Sequence, residues 1–148
     1  MIRIVCVGNL KEKYLKDAEA EYLKRISKYN KVEIIEIKES TNKNISLQLK
    51  EEALEINKHL KGYTIKLAIL GEQLDSVNFA NKINQITLNG YSDITFIIGS
   101  SNGLDESIKT NYDLSFSKMT FTHQMSRIIL LEQIYRAYSI LNNTKYHK

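Results

Sequence analysis

The 148-residue sequence contains no proline and a single cysteine, and no apolar run in it is long enough to cross a bilayer. One cysteine excludes an intrachain disulfide. Cys6 lies inside the first apolar run, where a buried structural thiol is expected rather than a nucleophile. The N-terminus lacks the charged, apolar and small-residue sections of a signal peptide, which predicts a cytoplasmic protein. There is no internal repeat, no low-complexity segment and no proline-rich linker, so composition offers no domain boundary. The length is near the modal size of one domain, and a single domain over 1–148 is expected. Apolar residues at 43% and charged residues at 26% place the chain among ordinary folded proteins.

The net charge of +4 is unevenly spread. Residues 1–31 hold eight basic and four acidic side chains, and residues 117–148 hold five and one. The stretches 32–81 and 82–116 are each acidic by two charges. Positive charge therefore sits at the two chain ends. Brought together by folding, they would form a basic face suited to a polyanion such as nucleic acid; solvated lysines on a helix surface are the plainer alternative.

Ile2 to Val7 is a β-branched run closed by Gly8-Asn9 and predicts a buried strand. From Glu12 to Tyr29, apolar residues recur every three or four positions, with Glu12/Lys16 and Glu21/Arg25 as favourable i,i+4 pairs, which predicts an amphipathic helix. Strands follow at Val32 to Ile37, Ile65 to Leu70 (closed by Gly71) and Ile94 to Ile98. Helices are expected over Ser46 to Leu60, with Gly62 as a stop, and over Val77 to Leu88. A further helix is expected to open near Asp105, and a fifth strand spans Tyr112 to Phe116. The alternation predicts an α/β fold with a mostly parallel sheet flanked by helices, binding its ligand at the carboxyl ends of the strands.

The last helix, His123 to Leu141, carries apolar residues over more than one stripe and needs two buried faces. One can meet the sheet. The other predicts a homodimer, complete burial within the monomer being the alternative.

Candidate chemistry lies in three places. Gly99-Ser100-Ser101-Asn102-Gly103 follows the fourth strand and can present backbone amides to a ligand. It has neither the Gly-Lys-Ser/Thr end of a P-loop nor the dinucleotide spacing, so ATP hydrolysis and hydride transfer lose support. The polar run Ser117 to Met125 reads as a binding loop, with Thr122 as a helix cap. The closing Tyr146-His147-Lys148 has the fraying expected of any terminus, yet it combines a stacking ring, a proton carrier and a phosphate-binding cation. In the last helix Glu132 can satisfy Arg136, whereas Arg127 has no clear partner and could face an anion. His59 reads as a surface residue. His59, His123 and His147 are not at metal-ligand spacing, and no metal is expected.

The segments Gly8-Asn9-Leu10-Lys11, Ile97 to Gly103, Leu114 to Phe121 and Tyr146-His147-Lys148, in that order, closely resemble the RlmH family of SPOUT-class ribosomal RNA methyltransferases. The resemblance covers essentially the whole chain. It implies an α/β domain with a C-terminal trefoil knot, an exception to unknotted topology, and a homodimer. It implies S-adenosylmethionine as cofactor, held at Leu67, Gly99 and the run Phe116, Ser117, Lys118, Met119, Thr120 and Phe121. It further implies methylation at N3 of a pseudouridine in 23S RNA of the large subunit, on assembled ribosomes and without a metal. His147 or His123 would then accept the proton, Tyr146 would stack on the base, and Arg127, Arg136, Lys118 and Lys148 would hold phosphates or developing negative charge. Two positions depart from the family pattern: Ser100 stands where a second glycine is frequent, and Thr122 where a proline is. Two other readings share these residues, a non-catalytic RNA-binding or ribosome-associated module of the same fold and a transfer RNA methyltransferase.

Overall fold

A computed structural model describes all residues, 1–148. The elements run β1 (Ile2–Val7), α1 (Lys13–Ile26), β2 (Val32–Ile37), α2 (Ile45–Asn57), β3 (Tyr63–Gln73), α3 (Ser76–Leu88), β4 (Ile94–Ile98), β5 (Tyr112–Ser115) and α4 (His123–Leu141). The five strands form one sheet in the order β2-β1-β4-β3-β5. Every pairing is parallel. The α/β expectation holds.

Both sheet faces are covered, which is why β1 and β4 are near-continuous apolar runs, broken only by Arg3 and Thr95, rather than alternating ones. Ile2, Ile4, Cys6, Phe96 and Ile98 point to one face, where α1, α3 and α4 pack through Ile26, Phe79, Ile83, Leu130 and Ile134. Val5, Val7 and Ile97 point to the other, against Ala53 and Ile56 of α2. Cys6 is buried, and burial pushes its thiol up to about 12.

Three local expectations are corrected. No helix opens at Asp105: the Asp105 carboxylate accepts from Ser107 N and its carbonyl from Ile108 N, making a single turn. That turn delivers Ile108, fully buried, to the α2 face of the sheet. Second, β3 does not stop at Gly71. It pairs with β5 at Ile65–Leu67, leaves it, and pairs again at Glu72 and Gln73. Gly71 passes so close to β5 that a Cβ there would stand 2.7 Å from the Asp113 carbonyl oxygen, so its glycine serves a close approach and not a strand end. Third, Glu12 forms no pair with Lys16. It stands at the N-cap of α1 and Lys13 pairs with Asp17 instead, while Arg25–Glu21 forms as expected.

Within the single chain α4 lies between α1 and α3 on the sheet, and none of its large apolar side chains is exposed, Met125, Ile129, Tyr135, Ile140 and Leu141 being half-buried. The α1–α4 contact also brings the two basic chain ends together: Tyr29 stacks on Tyr138 at 5.8 Å, and Asn30 donates to the Tyr138 hydroxyl.

Candidate active site

A cleft of about 1000 Å³ opens at the carboxyl ends of the strands, between the bulged part of β3, the loop after β4 and the loop joining β5 to α4. Of the expected cofactor residues, Leu67, Gly99, Phe116, Ser117, Met119, Thr120 and Phe121 line it. Lys118 is exposed and does not. His123 and Gln124, at the start of α4, close one side.

Each wall has a local cause. The β3 excursion turns Ile69 and Leu70 outward, and Leu70 is 98% exposed at the cleft. With Met119 and Phe121 it leaves an apolar rim uncovered by the chain itself. The β4 loop folds back on itself, Gly103 N donating to the Ser100 carbonyl at 2.9 Å. A Cβ at Gly99 would stand 2.4 Å from the Gly103 carbonyl oxygen, so position 99 admits glycine only. Ser100 is not in the left-handed region, so a side chain there is unstrained. Thr122 caps α4, its hydroxyl oxygen accepting from Met125 N at 3.1 Å.

Behind Phe116 and Phe121 lies a second cavity of about 390 Å³, lined also by Phe79, Ile129 and Gln133. The two cavities share the aromatic wall of the β5–α4 loop.

The Gly8–Lys11 turn joins the site through α4. Lys11 N donates to Gln124 Oε1 at 3.0 Å, and a Cβ on Gly8 would stand 3.2 Å from His123 Nε2. Gln124 is thus a brace between two loops, a role its sequence position gave no sign of.

Arg127 is corrected. It is 2% exposed and does not line the cleft. Its guanidinium donates to Glu19 at 3.0 Å, Glu36 at 2.9 Å and the Gly8 carbonyl at 3.2 Å, so it is paired within the chain and buried away from any external phosphate. The pair ties α1, β2 and α4 beneath the Gly8 turn.

The C-terminus is docked on α4 rather than frayed. The Tyr146 ring meets Tyr135 edge-on at 4.6 Å and its hydroxyl donates to Glu132 at 3.1 Å. Burial, then hydrogen bonding with Tyr22 and the nearby Glu132 charge, push that phenol upward. Arg136 is held by Glu132 at 3.0 and 2.5 Å and reaches His147 Nδ1 at 3.0 Å. A guanidinium can only donate, so Nδ1 is the acceptor and the neutral ring carries its proton on Nε2. Arg136, Tyr146 and His147 therefore form one cluster at mid-helix, away from the cleft, and the single chain does not bring them to the cofactor loops. No group of side chains suited to hold a metal ion is present, and no helix is long and apolar enough to cross a membrane.

A parallel α/β sheet with an apolar, glycine-cornered cleft at the carboxyl ends of its strands defines a small-ligand-binding protein of the open α/β class. The chain belongs to the SPOUT methyltransferase family: the family model described as "Predicted SPOUT methyltransferase" matches residues 1–147. It is 50% identical to a Methanococcus maripaludis protein named "Putative ribosomal RNA large subunit methyltransferase H", covering 99% of each chain. It is 46% identical to the ribosomal RNA large subunit methyltransferase H of Caldicellulosiruptor saccharolyticus over the full length of both. With the protein of the same name from Clostridium tetani it shares 48%, over 99% of each.

Proposed function

We propose that this protein is an S-adenosylmethionine-dependent methyltransferase acting on N3 of a pseudouridine in 23S RNA, on assembled large subunits, as a cytoplasmic homodimer with a trefoil-knotted C-terminal region. The carrying observation is the cleft: all but one of the residues expected to hold the cofactor converge on it from three separate loops. The names of the full-length relatives support the RNA substrate.

The residues fit the group. Gly99 lets the loop fold tightly against the Gly103 carbonyl while still lining the cleft, and Leu67, Leu70, Met119 and Phe121 offer apolar cover. When bound, the cofactor supplies an electrophilic methyl group on sulfonium sulfur. The backbones of Gly99 and of Phe116 to Phe121, with Leu67, hold and orient it.

The nucleophile is a weakly acidic imide nitrogen, so its proton must leave before or during transfer. The chain's work is alignment and charge stabilisation. His123 borders the cleft and is one proton acceptor. His147 is the other, but its Nδ1 is occupied by Arg136 in the docked tail, so it accepts a proton only after the tail lifts. The distance of the tail from its own cleft favours action across the dimer, with Tyr146 stacking on the base in the site of the other subunit. Arg136, Lys118 and Lys148 meet phosphates or the developing anion. The adjoining α1 and α4 segments present the basic face to RNA.

Calorimetric titration with S-adenosylmethionine tests the cofactor assignment. One site per chain is expected. No binding heat at any temperature, with the chain folded, would leave RNA binding without catalysis as the reading to adopt.

A further inference from the structure

The loop Gly99–Gly103 rests on α2, and the contact contains a buried carboxylate that is only half satisfied. Glu52 is 3% exposed. Its Oε2 accepts from Ser40 N at 3.0 Å, while Oε1 has no hydrogen-bond partner. Burial raises its pKa; the Ser40 amide and the nearby Ser100 hydroxyl act in the opposite direction, and the charges of Glu39 and Glu51 reinforce the rise.

Ser100 is the complementary half. It is buried, and its Oγ accepts from Asn102 N at 3.3 Å, which leaves the hydroxyl proton free to be donated. A second strut runs alongside: Asn102 Nδ2 donates to Gln48 Oε1 at 3.3 Å, and Gln48 Nε2 donates to the Ser40 carbonyl at 2.9 Å. An unpartnered buried carboxylate oxygen next to a hydroxyl with a free proton is an incomplete interaction that a small loop movement can complete.

We propose that Glu52 is a positioning residue for the cofactor loop, taking a hydrogen bond from Ser100 at Oε1 when the loop closes on its ligand. The inference rests on the reading of the cleft as the S-adenosylmethionine site. Glu52 itself does not line that cleft and acts through Ser100. Ser100 is then the donor of a loop anchor and not an obstruction.

A double-mutant cycle in the full-length chain tests this, with cofactor affinity from calorimetry and kcat and KM from methyl transfer. Glu52→Gln and Ser100→Ala should each weaken S-adenosylmethionine binding by about tenfold. The KM for the cofactor should rise in step, with kcat at saturating cofactor within about twofold of the parent. The double variant should bind no worse than Ser100→Ala alone, which also loses the bond from Asn102 N, because both substitutions remove the Glu52–Ser100 bond. Ser100→Ala deletes one hydroxyl and keeps the test independent of whether Glu52→Gln folds well. Effects that add, or single variants that bind as the parent does, overturn the role of Glu52 and leave the cofactor site standing. A parent chain that binds no S-adenosylmethionine overturns both.

Discussion

Arg127 of α4 and Glu36 of β2 meet at 2.9 Å, 91 residues apart in the chain, and the guanidinium that joins them is almost wholly buried. The Glu36 carboxylate is 45% exposed and keeps much of its hydration, while Glu19 is 19% exposed. The arginine thus carries most of the desolvation, and the Gly8 carbonyl accepts a third hydrogen bond from it.

Truncating it removes a charge that two carboxylates and a carbonyl depend on. Arg127→Ala should lower stability in urea unfolding by about 3 kcal/mol. A loss under ~1 kcal/mol would mean the pair is as weak as a surface one.

Gly99→Ala should abolish cofactor binding. The added methyl meets the Gly103 carbonyl at 2.4 Å, so the loop must move at the point where the ligand backbone contacts are expected. Calorimetry on the folded variant checks this; affinity within about twofold of the parent would show that Gly99 does not set the loop.

Deleting Tyr146 to Lys148 should eliminate methyl transfer and leave S-adenosylmethionine affinity nearly unchanged, because the tail touches mid-α4 and not the cleft. The docked tail also half-buries the Tyr146 ring, so the truncated chain should lose about 1 kcal/mol of stability. Full activity in the truncated chain would remove the tail from the mechanism.

Cys6 should be inert to thiol reagents in the native chain at pH 8 and react promptly in denaturant, since burial holds its thiol near 12 against an unfolded value of 9.0. The folded value is raised, so the folded state binds the proton more tightly. This contribution to stability is complete below pH 9 and is lost as pH rises towards 12. Cys6→Ala should therefore flatten the alkaline limb of the stability profile, read from urea midpoints between pH 8 and pH 11. An unaltered limb would assign the pH dependence to other groups.

Where a signal is local, the sequence carried it. Val32–Ile37, Ile94–Ile98 and His123–Leu141 stand as expected, because apolar period and caps act within a few residues. Thr122 was readable as a cap for the same reason. The extension of β3 depends on β5, forty residues on, and a glycine that permits close approach looks in sequence like a terminator. Arg127 appeared unpartnered because Glu19 and Glu36 lie on other elements. The apolar excess of α4 signalled more than one buried face, but not that α1 and α3 are the elements that flank it. Seven of the eight positions expected to hold the cofactor line the cleft, since the motif follows the strand ends that build it; Lys118 alone does not. The grip of α4 on the tail and the carboxylate of Glu52 under Ser100 are tertiary facts with no local trace.

The most direct measurement is transfer of labelled methyl from S-adenosylmethionine to ribosomes, isolated large subunits and free RNA from cells lacking this modification, followed by mapping of the labelled nucleotide. Label is expected at N3 of a single 23S RNA pseudouridine, strongest with assembled ribosomes. Absence of label from every ribosomal substrate, or label in transfer RNA instead, would contradict the assignment of this chain to that substrate.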